Sequence, residues 1–200
     1  MFTGIVTDVG RVAAVRERDA VRSIAIDCAY DAGTIAIGAS IACAGICLTA
    51  VLVETIAGGA RFEVDAAPET LRLTNAGHWT IGTPLNLERS LRMGDELGGH
   101  LVSGHIDGLA TIVERTDMGD AVRFVFDAPR ALARFIATKG SVALDGTSLT
   151  VNGIEGARFT CLLIPHTLDV TTWGERQVGD NVHLEIDPLA RYVARLAEAG

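Results

Sequence analysis

The sequence predicts an all-β protein: two tandem antiparallel barrels of about six strands each, followed by a C-terminal α-helix. Three observations predict it: an internal duplication, a dominant hydrophobic period of two, and glycines at the breaks between strand-length runs. Met1-Phe2-Thr3-Gly4-Ile5-Val6 is echoed by Leu101-Val102-Ser103-Gly104-His105-Ile106. The stretch 38–51 is echoed by 140–153, Pro68–Thr74 by Pro165–Thr171, and Ile81–Glu88 by Val178–Glu185. Four blocks recurring in one order at nearly constant offset make each repeat a whole small domain, too long for a solenoid unit. The implied boundaries are 1–97 for the first barrel, 98–187 for the second and 188–200 for the helix.

Along the chain, Ile24–Ile26, Leu85–Glu88, Val122–Phe126 and Val182–Ile186 alternate or run apolar over strand lengths, with Gly, Asp and Asn between them. Short, turn-punctuated strands in a unit of this size are best closed as a barrel, which leaves no exposed edge. Pro68 and Pro165 each sit where they open a short helix. The segment Glu88–Gly99 reads as the linker between halves. Asp127–Ile136 has apolar residues at helical spacing and ends at Lys139-Gly140, a C-cap. In the tail, Asp187 caps, Pro188 takes the first helical position, and Leu189, Tyr192, Val193 and Leu196 form one apolar stripe. That stripe must be buried either on the chain's own barrel or on a partner subunit.

Composition narrows the function. The net charge of −8 and aromatic content of 5% oppose a pair of oligonucleotide-binding barrels, which need a basic groove and stacking rings. No apolar run is long enough to predict a membrane span, and no signal peptide is expected at the start. The four cysteines, Cys28, Cys43, Cys47 and Cys161, lack zinc-site spacing and are expected reduced, in a cytoplasmic protein. No P-loop, GxGxxG, HExxH or GxSxG motif occurs.

Where the two halves differ in reactivity, the difference is informative. Cys47 aligns with Ser148; each lies two residues after a Gly and is followed by Leu-Thr. The pair reads either as small strand residues or as a thiol and a hydroxyl offered to the same ligand group in two related pockets. His100 and His105 are spaced too loosely for a metal and read locally as structural, although a His in a pocket moves protons near neutrality. Lys139 and Asp187 are each accounted for locally, as a helix-end cation and a cap.

Assembled, Met1–Val6, Gly45–Thr49, Glu69–Asn75, Gly98–Ile106, Lys139-Gly140, Asp145–Val151 and Ile186–Pro188 resemble the riboflavin synthase family of the alpha-chain type, from residue 1 to about 190. The resemblance implies six-stranded Greek-key barrels, a homotrimer aided by the C-terminal helix, and no cofactor or metal. It implies four-carbon transfer between two molecules of 6,7-dimethyl-8-ribityllumazine, giving riboflavin and 5-amino-6-ribitylaminouracil, with the reactive pair formed between barrels of neighbouring subunits. Gly4, Ile5, Val6, Cys47, Leu48, Thr49, Glu69 and Thr70 are expected to line the first pocket. Gly104, His105, Ile106, Ser148, Leu149, Thr150, Leu162, Ile164, His166 and Thr167 are expected to line the second, near Lys139. Cys47, His105, Ser148 and Asp187 are the expected catalytic residues. Ala44 and His166 depart from the family's usual Asn and Glu. A non-catalytic lumazine- or flavin-binding relative is the alternative, and association with lumazine synthase is left open.

Overall fold

The computed structural model describes residues 1–198; the last two residues of the expected 188–200 helix lie outside them. In the first half, β1 (Asp8–Glu17), β2 (Arg22–Cys28), β3 (Ser40–Cys43), β4 (Ile46–Ile56), β5 (Gly59–Ala66) and β6 (Pro84–Arg89) close into a barrel in the order β1-β2-β5-β4-β3-β6. Strict alternation drives it: in β5, Ala60, Phe62, Val64 and Ala66 point inward and the residues between them outward. Register shifts at Val12/Ala14 and Ala50/Leu52 mark bulges, which supply the extra bend that closure needs. Pro68 opens α1 (Pro68–Leu73), as its position predicts.

The second half repeats the topology with seven strands where six are predicted: β7 (Gly108–Met118), β8 (Ala121–Asp127), β9 (Ser141–Leu144), β10 (Thr147–Thr150), β11 (Gly153–Glu155), β12 (Arg158–Leu163) and β13 (Asn181–Ile186). The sheet order is β10-β9-β13-β7-β8-β12-β11. The extra strand has a local cause. β10 and β11 are the counterpart of the single long β4, split at Val151-Asn152, one repeat on from the β4 bulge. Asn152 keeps hold of β12, donating its N–H to Thr160 O at 2.7 Å and accepting from Leu162 N–H at 2.8 Å through Oδ1. The chain leaving one end of the sheet therefore enters the other.

The predicted helix over 127–136 shrinks to α2 (Arg130–Ala133). Asp127 stays in β8, and Pro129 cannot donate to an earlier turn. Lys139 lies beyond α2 in a left-handed conformation (φ +66°), its N–H bonded to Val151 O. Pro165 opens α3 (Pro165–Val170), and α4 (Pro188–Glu198) ends the described chain. Arg191 ties α4 to Asp107 at 2.8 Å. Glu88, expected in the linker, is instead a buried residue of β6.

The halves meet about an approximate twofold axis. Phe2 and Val102 exchange backbone hydrogen bonds in an antiparallel bridge, and their side chains pack with Ala42 and Ala143 into a small core of their own. Asn86 Nδ2 donates to Asp145 O at 2.9 Å while its Oδ1 accepts from Thr172 N–H at 2.8 Å. At the equivalent position, His183 Nδ1 sits 2.7 Å from Ala44 O and Nε2 accepts from Asn75 N–H at 3.1 Å. A carbonyl only accepts, so Nδ1 carries the proton and the imidazole is neutral.

Burial lowers the His183 pKa, against the pull of Asp145; Arg176, bonded to Asp145, adds to the lowering. The unfolded chain, with a His pKa of about 6.5, therefore takes up the proton first as pH falls. The stability carried by neutral His183 is complete above about pH 6.5 and is lost below it, at up to ~1.4 kcal/mol per pH unit. His183→Asn, which copies Asn86, is expected to flatten this loss. Urea unfolding at pH 7 and pH 5 checks it, and equal acid sensitivity in parent and variant would contradict it.

Candidate active site

Strand alternation decides which residues of the repeated motif face outward. In β4, Ile46 and Leu48 enter the first core while Cys47 and Thr49 face out; in β10, Leu149 enters the second core while Ser148 and Thr150 face out. Leu48 and Leu149, expected to line pockets, are thus core residues. The same period that identifies the strands turns them inward.

The leading arms of the two halves are exchanged. Grouping by half puts Gly4–Val6 with Cys47 and Gly104–Ile106 with Ser148. For Gly4, Gly104 and Ile106 the structure does the reverse, the antiparallel Phe2–Val102 pairing carrying these residues across to the other barrel. Cys47 N–H donates to Gly104 O at 2.8 Å, and Ser148 N–H donates to Gly4 O at 2.7 Å. Both glycines hold positive φ (+75° at Gly4, +79° at Gly104), and a Cβ on either would lie within 2.6 Å of the Cβ of Ser148 or Cys47. Only glycine permits both the conformation and the approach. Ile106 even joins the core of the first barrel.

The Cys47 site is a hollow of about 200 Å³ bordered by Cys47, Glu69, Thr70, Gly104, His105 and Ile106. It shares Leu73, His105 and Ile106 with a wider hollow of about 590 Å³ that reaches Pro188, Arg191 and Tyr192 of α4. The Arg72 guanidinium, 2.5 Å from Glu69, holds that carboxyl below its ordinary pKa. At the equivalent positions the second half carries His166 and Asp169, so the carboxylate moves from the first of the two positions to the second. Among the described residues the Cys47 thiol has no hydrogen-bond partner. Cys28, Cys43 and Cys161 are buried, and burial raises their thiol pKa values, that of Cys161 to about 12; Cys47 alone of the four is half-exposed.

The Ser148 site is chemically different. Ser148 Oγ lies 2.7 Å from Nδ1 of His100. Nε2 of that ring is shut off from solvent and has no partner among the described residues. Burial lowers the His100 pKa and favours the neutral base, while the charge of Asp187 pulls the other way. Asp187 also caps α4, accepting from Leu189 N–H at 2.9 Å. Ile5, Leu162 and Ile164 remain exposed, as do His105, Lys139 and His166; Thr167 and Val6 are half-buried. Lys139 has no ion-pair partner among the described residues. His100 was legible only as one of two loosely spaced histidines; its pairing with Ser148 depends on the chain crossing between barrels.

Comparison with known proteins decides the family. The lumazine binding domain matches residues 3–90 and again 103–187. Riboflavin synthase of Brucella abortus is 60% identical over 199 residues, covering 99% of this chain and 98% of its own. The chain belongs to the riboflavin synthase family. Riboflavin synthases of Schizosaccharomyces pombe (38% identical, 100% of this chain and 95% of its own) and Bacillus subtilis (35%, 98% and 89%) support the same assignment. Among solved structures, LumP complexed with riboflavin superposes with a TM-score of 0.82 at 22% identity, over 93% of this chain and 99% of that one. LumP complexed with 6,7-dimethyl-8-(1'-D-ribityl) lumazine gives 0.79 at 21%, again over 93% of this chain and 99% of that one. At that identity the likeness carries the fold alone. As a member of the riboflavin synthase family the chain is an enzyme of riboflavin biosynthesis, a transferase of four-carbon units.

Proposed function

We propose that the Cys47 and Ser148 sites each take one molecule of 6,7-dimethyl-8-ribityllumazine and that a four-carbon unit passes between them. The products are riboflavin and 5-amino-6-ribitylaminouracil. The observation that carries this reading is the unequal chemistry at equivalent positions: a thiol free of hydrogen bonds on one side, a hydroxyl bonded to a neutral imidazole on the other. A reaction between two copies of one molecule needs two like pockets, and it needs them to differ, since one lumazine donates carbons and the other accepts them.

In this reading Ser148 Oγ takes a proton from the acidic 7-methyl group as its own proton passes to His100 Nδ1, with Asp187 favouring the imidazolium that results. Cys47, beside His105, supplies the nucleophile at C7 of the other lumazine. Holding both molecules in attack geometry supplies much of the remaining acceleration.

A homotrimer would bring the two sites face to face from neighbouring subunits. The hollow at Cys47 runs on into the wider one along Pro188, Arg191 and Tyr192 of α4, so a neighbouring subunit seated on α4 would close it. On α4, Leu189, Tyr192, Val193 and Leu196 are all at least 66% exposed, so the stripe is not docked on the chain's own barrels. Truncation after Pro188 is expected to weaken the assembly and reduce activity together; sedimentation beside a turnover assay checks it, and a monomeric, fully active product would contradict it. For the reaction itself, the purified chain is incubated with 6,7-dimethyl-8-ribityllumazine and no added cofactor. Riboflavin should appear with two lumazines consumed for each one formed. Bound, coloured ligand without turnover would instead favour a binding protein.

A further inference from the structure

Each half holds one buried carboxylate at the same place in its last strand, Glu88 in β6 and Glu185 in β13, 5% and 1% exposed. Glu88 Oε1 accepts from Thr3 N–H (2.6 Å) and Thr3 Oγ1 (2.7 Å), and Oε2 accepts from Gly4 N–H (2.9 Å). Glu185 repeats the pattern with Ser103 N–H (2.7 Å), Ser103 Oγ (2.5 Å) and Gly104 N–H (2.9 Å). Neither has an ion-pair partner among the described residues. Each carboxylate grips the arm of its own half, and the gripped glycine then lies on the reactive residue of the other half. The hydrogen-bonded path runs from Glu88 through Gly4 to the Ser148 amide, and from Glu185 through Gly104 to the Cys47 amide.

We propose that Glu88 and Glu185 are positioning residues wired crosswise: Glu88, in the first barrel, sets the Ser148 site, and Glu185, in the second, sets the Cys47 site. The inference rests on reading Cys47 and Ser148 as the reactive pair. Stability does not explain keeping these groups. Burial raises both carboxyl pKa values despite the hydrogen bonds that lower them. A carboxyl whose pKa rises on folding supports the fold most at low pH, and that support is lost as pH climbs through the folded value. Folding thus disfavours the ionised form of both groups. What they supply is three acceptor contacts per arm, which no neutral side chain of the same shape provides, since a carboxamide nitrogen accepts nothing.

The test uses thiol alkylation as a reporter separate from turnover. In the full chain, iodoacetamide labelling of Cys47, read by mass spectrometry, should accelerate about fivefold or more in Glu185→Gln, because a loosened Gly104 uncovers the thiol. Glu88→Gln should leave the Cys47 rate within about twofold. With S148C as a second reporter the pattern should invert: labelling at position 148 accelerates in Glu88→Gln and stays put in Glu185→Gln. Both Gln variants should lose about tenfold in kcat with a smaller change in KM. Ser103→Ala and Thr3→Ala, which leave the carboxylates in place, should show the same crossing on a smaller scale if either Gln variant fails to fold. Equal effects at both positions, no effect at either, or the crossed labelling pattern with unchanged kcat would each overturn the proposal. Absence of riboflavin formation by the parent chain would overturn the assigned reaction instead, and the labelling experiment would still read the wiring.

Discussion

Phe2→Ala is expected to cost about 3–5 kcal/mol of folding stability, the range for emptying a fully buried aromatic site. Phe2 is 0% exposed and lies between the barrels against Val102, Ala42 and Ala143. Ala42 and Ala143 sit in strands β3 and β9, whose backbones cannot close a phenyl-sized gap without disturbing both sheets, so little relaxation will offset the loss. At about 2–4 °C per kcal/mol for a chain of this size, the thermal midpoint should fall by roughly 10 °C. Turnover should fall even below the melting range. Phe2 anchors the arm two residues before Gly4, and Gly4 O receives the Ser148 amide. Val102→Ala, the twin change, removes fewer carbons and should have a smaller effect on stability, directed at the Cys47 site through Gly104. Scanning calorimetry and kcat at 25 °C check both. A Phe2→Ala variant with parental midpoint would show that the barrels do not depend on this contact.

Cys47→Ala should lower kcat by about ten- to a hundredfold while changing lumazine affinity by no more than about threefold. The thiol is one contact among many for bound substrate, but as nucleophile it is needed where the new bond forms, and an interaction made only in the transition state shows in kcat. Cys47→Ser should be milder, because Ser148 already presents a hydroxyl at the equivalent place. Single-turnover fluorescence beside equilibrium titration separates the two quantities. Unchanged turnover in Cys47→Ala would make Cys47 a packing residue and remove the asymmetry on which the assigned roles depend.

Much of this was legible in the residue order. The Gly-Ile-Cys-Leu-Thr and Gly-Thr-Ser-Leu-Thr segments are strands because their apolar positions alternate, and their duplication announces two like sites. The same alternation turns Leu48 and Leu149 inward where Cys47 and Ser148 turn outward, although the family resemblance placed both leucines in the pockets. The arm exchange was not legible. Whether Gly4 covers Cys47 or Ser148 depends on the direction of a single bridge between Phe2 and Val102, and no periodicity encodes contacts a hundred residues apart. His183 and the His100–Ser148 contact were hidden for the same reason. Glu88 and Glu185 did carry a signal: the same acidic residue ends the same strand block in both halves, directly after a buried leucine.

In the proposed homotrimer one reaction centre takes Cys47 and Ser148 from two different subunits. Mixing Cys47→Ala and Ser148→Ala chains, after denaturing and refolding them together, tests it most directly. Each variant alone lacks one partner at every centre. In mixed assemblies, random pairing places an intact Cys47 site opposite an intact Ser148 site at about one centre in four. The mixture should therefore recover roughly a quarter of the parental rate of riboflavin formation. Activity no greater than the average of the two separate variants would contradict the account, since both sites would then have to lie in one chain.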